Sequence, residues 1–300
     1  MWNDNAMADE RFVPELVIAQ IKNRTGIVLD LIAMARNGTS GAAYVRWPDG
    51  RDAVLTCPPV STELMHLTAE ILTMAKSQGL PVPRQDLVVP LADGGTAVVQ
   101  ERLPGRHIRY VDVATVDALV AMNDRFAGML ADRSDVPNPS LCLRRNAGHD
   151  SLHEPLERYD SRTRRMLRLI QEIGDEMPDR ITGDDLLHVD YARGNVLTDE
   201  SGRITGVVDW NLGVARGDRR LALVSLRSDL QWSALHPEGA GGVERIAMDH
   251  LDRILEERID PATLRAYWAF WTLMKLEGLI IENAPKAIDV FLDLGFRRLA

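Results

Sequence analysis

The stretch LLHVDYARGNVL at 186–197, followed by ITGVVDW at 204–210, constrains this chain more than any other. Leu186 and Leu187 are apolar, positions 188–195 are mostly polar, and Val196 and Leu197 are apolar again. After the turn DESG at 199–202, VVDW returns as a strand. This alternation predicts a loop that is entered from apolar sequence and left into a short pair of strands. Asp190 and Asn195 stand at either end of the loop, and Asp209 ends the strand beside it. Three oxygen donors can then converge on a hard cation. Magnesium suits such donors and normally completes its shell with waters and substrate phosphates. Asp190 is the residue placed to face an acceptor hydroxyl, as base or orienting group.

Composition narrows the classes around this loop. Three hundred residues suffice for one large domain or two small ones with a full core. Aromatic residues make up only 5%, which argues against a stacking surface for single-stranded nucleic acid. The net charge of −9 disfavours nucleic acid and anionic membranes as partners. Much of the excess lies in residues 111–200, where 18 acidic residues stand against 11 basic ones. Such a stretch is either a solvated face or a basin that attracts a cationic substrate. Cys57 and Cys142 form neither a disulfide framework nor a metal spacing, so a reducing, cytoplasmic setting is expected. The opening MWNDNAMADERF has no signal-peptide pattern, and no apolar run has the length of a membrane span.

The pattern along the chain predicts an α+β protein. Residues 12–25 read as an amphipathic helix, followed by strands at 26–35, 42–47 and 51–57 with turns at 36–41 and 48–50. Residues 61–79 read as a helix ending at Gly79. A hairpin about Asp93–Gly95 then supplies two more strands. The first lobe, residues 1–105, is thus a five-stranded antiparallel sheet with a helix laid against it. Residues 106–300 form a mostly helical lobe, with one long segment at 111–133, a second at 154–177, and further helices at 219–231, 243–257, 261–283 and 285–299. The stripe Tyr267, Trp268, Phe270, Trp271 and Met274 reads as core or as a wall for an acceptor, core being the commoner role of such a stripe, and Glu277 and Glu282 beside it read as solvated acids or cation contacts.

HVDYARGNVL with GVVDWNLGVARGD resembles the catalytic loop and metal segment of the aminoglycoside phosphotransferase family, small-molecule kinases with a protein-kinase-like bilobal fold. The spacing from Asp190 to Asn195 matches the protein-kinase catalytic loop. RNGTSG falls where that family has its nucleotide-covering loop, the Glu70 helix with GLPVP matches its helix and following segment, and VVQERLPG resembles its hinge strand. The likeness spans roughly residues 25–230. It implies Asp190 as catalytic base, Asn195 and Asp209 as magnesium ligands, and His188 as a brace. It also implies Glu70 at the nucleotide site, Gln100, Glu101 and Arg102 at the adenine edge, mostly through main chain, and Ser40 and Gly41 in a phosphate cradle. Arg193 lies inside the loop, where it would neutralise γ-phosphate charge or pair with a nearby acid.

The chain departs from the family pattern in three places. Thr56 stands near the position of the strand-3 lysine that pairs the phosphates. Val189 replaces a glycine, and Ala222 replaces a later aspartate. The expected activity is transfer of the γ-phosphate of ATP or GTP to a hydroxyl of an antibiotic-like molecule, an aminoglycoside or basic peptide antibiotic before a macrolide or metabolite. Such an enzyme would confer resistance by O-phosphorylation. A nucleotide-binding pseudokinase is the rival that the missing lysine supports.

Overall fold

The computed structural model describes residues 12–35, 41–145, 150–235 and 242–300. Two compact units emerge. One runs to Ile108 and takes in Arg193–Val214, and the other comprises Arg109–Ala192 and Ala215–Ala300.

The first unit is built on a five-stranded antiparallel sheet, as expected. Its strands are β1 (Asp30–Met34), β2 (Ala42–Arg46), β3 (Asp52–Thr56), β4 (Gln85–Pro90) and β5 (Thr96–Glu101), in the order β1-β2-β3-β5-β4. Alternate residues divide the two faces, because side chains along a strand repeat every second position. Ala43, Val45, Ala53, Leu55, Ala97 and Val99 pack with Val17 and Ile21 of helix α1 (Pro14–Thr25) in one apolar cluster. The register Tyr44–Val54–Gln100 runs across the opposite face.

Helix α2 (Thr62–Ser77) begins at Ser61, whose side chain accepts from the Leu64 N–H. The Thr62 and Thr96 hydroxyls meet at 2.8 Å, tying α2 to β5. A second, three-stranded sheet joins β6 (Arg106–His107) to β8 (Val196–Thr198) and β9 (Ile204–Val207), with β8 in the middle. Gly105 is required where they meet: its φ is +121°, and a Cβ there would stand 2.3 Å from the Thr205 hydroxyl.

The second unit is mainly helical: α3 (Val113–Asp124), α4 (Asp150–Tyr159), α5 (Ser161–Glu176), α6 (Arg220–Leu235), α7 (Arg245–Arg258), α8 (Pro261–Ile281) and α9 (Pro285–Leu299). One two-stranded ladder pairs β7 (Asp185–Leu187) with β10 (Ala215–Gly217). Tyr267, Trp268 and Phe270 of α8 are buried, which is the core role expected of that stripe.

Two expected helices differ in the structure. The segment 111–133 is helical only to Asp124. Beyond it the Ala127 N–H bonds back to Asp124 C=O, Gly128 takes φ +64°, and the Leu130 N–H donates to Asp184. Tertiary bonds replace the next helical turn, overriding local propensity. The segment 154–177 breaks at Asp160. Its carboxylate accepts from the Thr163 N–H at 2.7 Å while the Thr163 hydroxyl accepts from the Asp160 N–H at 3.1 Å. This capping box starts a new helix.

Candidate functional site

The three donors of the opening motif are placed by two different elements. Val196 of β8 pairs with Val207 of β9, and one step further the Val208 N–H donates to the Asn195 C=O at 2.8 Å. Asn195 precedes one strand and Asp209 follows the other, so both flank the open end of the same hairpin. Each is half-buried. Arg193 opens a 3₁₀ turn, Arg193–Asn195, that leads into β8, and it is buried.

Asp190 belongs to the second unit, in a turn after β7. The turn is anchored through Tyr191, a fully buried ring whose hydroxyl donates to the Leu119 C=O at 2.9 Å. His188 meets that ring edge-on at 6.0 Å, which fits the bracing role its resemblance implies. Tyr191 falls at an unspecified position of the motif, and no sequence signal marks it as the anchor.

Asp209 takes φ +62°. The left-handed region costs a non-glycine residue on the order of 1 kcal/mol and persists only where the surroundings dictate it. Those surroundings are specific. The Trp210 indole N–H donates to the Val207 C=O at 3.0 Å, and the Gly213 N–H donates to the Trp210 C=O at 3.0 Å.

Among the described residues, no three His, Cys, Asp or Glu side chains gather into a metal cage. The hairpin offers instead one amide and one carboxylate. That donor set fits a hard ion that keeps water and phosphate in its shell, which is the habit of magnesium. The two cysteines offer no nucleophile. Burial pushes the Cys57 thiol up to about 12 and the Cys142 thiol up to about 11, so neither ionises at neutral pH.

The profile of the phosphotransferase enzyme family APH matches residues 33–215. The chain belongs to the APH phosphotransferase family. It is a small-molecule phosphotransferase. Solved structures agree on the fold. A thermostable mutant of aminoglycoside phosphotransferase APH(4)-Ia, in its apo form, aligns with a TM-score of 0.65 at 17% identity, over 94% of this chain and 98% of that one. Amicoumacin kinase hAmiN, in complex with AMP-PNP, Ca2+ and Ami, aligns with a TM-score of 0.63 at 16% identity, over 95% and 93%. Macrolide 2'-phosphotransferase MphH from Brachybacterium faecium aligns with a TM-score of 0.54 at 17% identity, over 95% and 98%. No curated protein sequence matches the chain significantly.

The structure engages the residues expected at the nucleotide side in the following ways. Thr56, at the end of β3, is buried and donates its hydroxyl hydrogen to Asn211 Oδ1 at 3.0 Å. Glu70 lies on an exposed side of α2, while Thr68, two residues earlier, is buried and accepts from the Val214 N–H at 3.1 Å. Gln100 sits inside the ladder between β3 and β4 with its side chain buried. The Glu101 N–H donates to the Arg84 C=O, and its carboxylate lies 2.8 Å from Lys76. Lys76 and Arg84 together hold the Glu101 carboxyl below its ordinary range, against the opposing effect of burial. The Arg102 guanidinium stacks over the Tyr44 ring at 4.3 Å and reaches Asp52 at 3.4 Å. Gly41 takes φ +69°, and a Cβ there would meet Phe12 at 2.9 Å. Ser40, with the rest of 36–40, lies outside the described residues.

The acidic stretch before the loop spends much of its charge locally. Asp124 pairs with Arg219 and Arg258, Asp185 with Arg219, Asp184 with Arg216, Asp135 with Arg133, and Glu157 with Arg145. Glu277 is not on a solvated face. It is 5% exposed, its Oε1 has no hydrogen-bond partner, and burial pushes its carboxyl up to about 7. Among the described residues, no helix is long and apolar enough to cross a membrane.

Proposed function

We propose that this enzyme transfers the γ-phosphoryl group of ATP or GTP to a hydroxyl of an antibiotic-like small molecule. The observation that supports the reading is the hairpin: the Val208 N–H donates to the Asn195 C=O, so Asn195 and Asp209 flank its open end, and Asp209 takes φ +62°. Asn195 and Asp209 would hold magnesium, which when bound neutralises charge on the nucleotide phosphates. Asp190 orients the acceptor hydroxyl and takes its proton as the oxygen attacks. A new P–O bond forms to the acceptor, the bond from the γ-phosphorus to the nucleoside diphosphate breaks, and the proton passes from Asp190 to solvent. Arg193 offsets charge on the transferred group. Positioning and electrostatics supply the rate, and no covalent enzyme intermediate is needed.

Structures of the same fold support the donor and the acceptor class. One APH(4)-Ia mutant is a ternary complex with AMP-PNP and hygromycin B, and another holds ADP and hygromycin B. The hAmiN complex holds AMP-PNP and Ca2+. An aminoglycoside or basic peptide antibiotic is favoured by the acidic stretch, though ion pairing reduces its pull on a cation.

The test is direct. Purified enzyme with magnesium and γ-labelled ATP or GTP is offered aminoglycosides, basic peptide antibiotics, macrolides and small alcohols. A phosphorylated product that is lost in Asp190→Ala supports the proposal. Nucleotide binding without turnover across the panel overturns it.

A further inference from the structure

The strand-3 lysine of kinases works with a glutamate on the next helix. That ion pair must be in place together with the metal-holding aspartate. Here the end of β3 and the face of α2 are still coupled to the aspartate segment, but by neutral hydrogen bonds. From β3, the Thr56 hydroxyl donates to Asn211 Oδ1 at 3.0 Å, across 155 positions of sequence. From α2, the Thr68 hydroxyl accepts from the Val214 N–H at 3.1 Å. Gly213, at φ +81°, lets the backbone lie against Leu64 of α2, where a Cβ would stand 2.7 Å from that side chain. All three contacts fall within five residues after Asp209, the residue whose left-handed backbone needs outside support. Thr56 and Asn211 are both more than nine-tenths buried, so an exchange of this bond for water is costly.

We infer that Thr56 and Asn211 are positioning residues for Asp209: their hydrogen bond does structurally what the lysine–glutamate pair does electrostatically elsewhere. The Thr56 proton is committed to Asn211, so Thr56 is not a neutral substitute for a phosphate-binding lysine. The inference rests on Asp209 holding the divalent ion. It predicts that breaking the bond weakens the nucleotide only when the metal accompanies it.

Calorimetric titration of AMP-PNP, with and without magnesium, separates the roles. Thr56→Val keeps the shape and removes the hydroxyl. It is expected to weaken binding in magnesium about tenfold, and to leave metal-free binding within about twofold. Thr56→Ser, which restores the hydroxyl, should bind within about twofold of the native chain. Asn211→Leu attacks the same bond from the other side and must reproduce the Thr56→Val pattern, so a folding defect in one variant does not decide the matter. Equal losses with and without magnesium would mean that Thr56 touches the nucleotide itself, and would overturn the inference. Unchanged binding in both variants overturns it as well. If the native chain binds AMP-PNP no better with magnesium than without, the metal role of Asp209 falls first, and the inference falls with it.

Discussion

The two faces of the five-stranded sheet are made by alternate residues of the same strands, yet they have opposite characters. The face under α1 is uniformly apolar, with Ala53, Leu55 and Val99 fully buried. The opposite face mixes Val54 and Val98 with Thr56, Gln100 and Tyr44, and it is tied to α2 and to the aspartate segment by hydroxyl and amide groups. One face supplies stability through area removed from water. The other gives up some of that gain for polar groups whose pairing fixes geometry. A strand can serve both ends only because its side-chain period is two, so each change can be aimed at one face alone.

The largest expected effect tests the polar side at its extremity. Asp209→Asn keeps a residue type that tolerates φ near +60° but removes the carboxylate charge. Phosphoryl transfer should fall about a hundredfold to a thousandfold, with the thermal midpoint nearly unchanged. A matching loss of stability would show that the carboxylate serves the fold and not the chemistry. Next comes the covered face. Leu55→Ala should destabilise the protein by about 2–5 kcal/mol in urea titration while the folded fraction keeps its nucleotide affinity. A selective loss of nucleotide binding there would erase the distinction between the faces.

Buried polar groups without partners sharpen the comparison further. Glu277 of the helical unit has a folded pKa raised above its ordinary 4.5, so the native state holds more protons between about 4.5 and 7. Stability from the neutral acid is complete below that window and is lost as pH rises through about 7. Glu277→Gln should therefore stabilise the protein by about 2 kcal/mol at pH 8 and by much less at pH 5, as read from denaturation midpoints at both values. The smallest effect concerns Gln85 of β4, opposite Gln100. Both polar atoms of its buried amide lack a protein partner. Gln85→Leu should stabilise by about 1 kcal/mol. Destabilisation would mean that the amide has an occupant such as ordered water.

The loop motif, the five antiparallel strands of the first unit and most helices could be read in advance, because each rests on local periodicity, turn residues or a motif of fixed spacing; the β3–β5 pairing that completes the strand order could not. The Asp160 capping box was equally local and shows how one cap divides an apparently continuous amphipathic segment. The premature end of α3 was not local. It depends on Asp184, some 54 positions beyond Leu130, accepting a backbone bond that the helix would otherwise need. Glu277 was misplaced for the same reason: a glutamate on a helix reads as solvated until the helices around it are known.

Local pattern alone therefore determined where the strands and most helices lie and which residues form the loop motif, and the family resemblance added that Thr56 stands near the expected place of a lysine. Only the tertiary structure decided what Thr56 does. Periodicity tells a side chain which way to face, but it carries no information about which distant group will meet it. The partner of a buried hydroxyl is fixed by sheet register and by the path of the returning chain, and here that partner is Asn211.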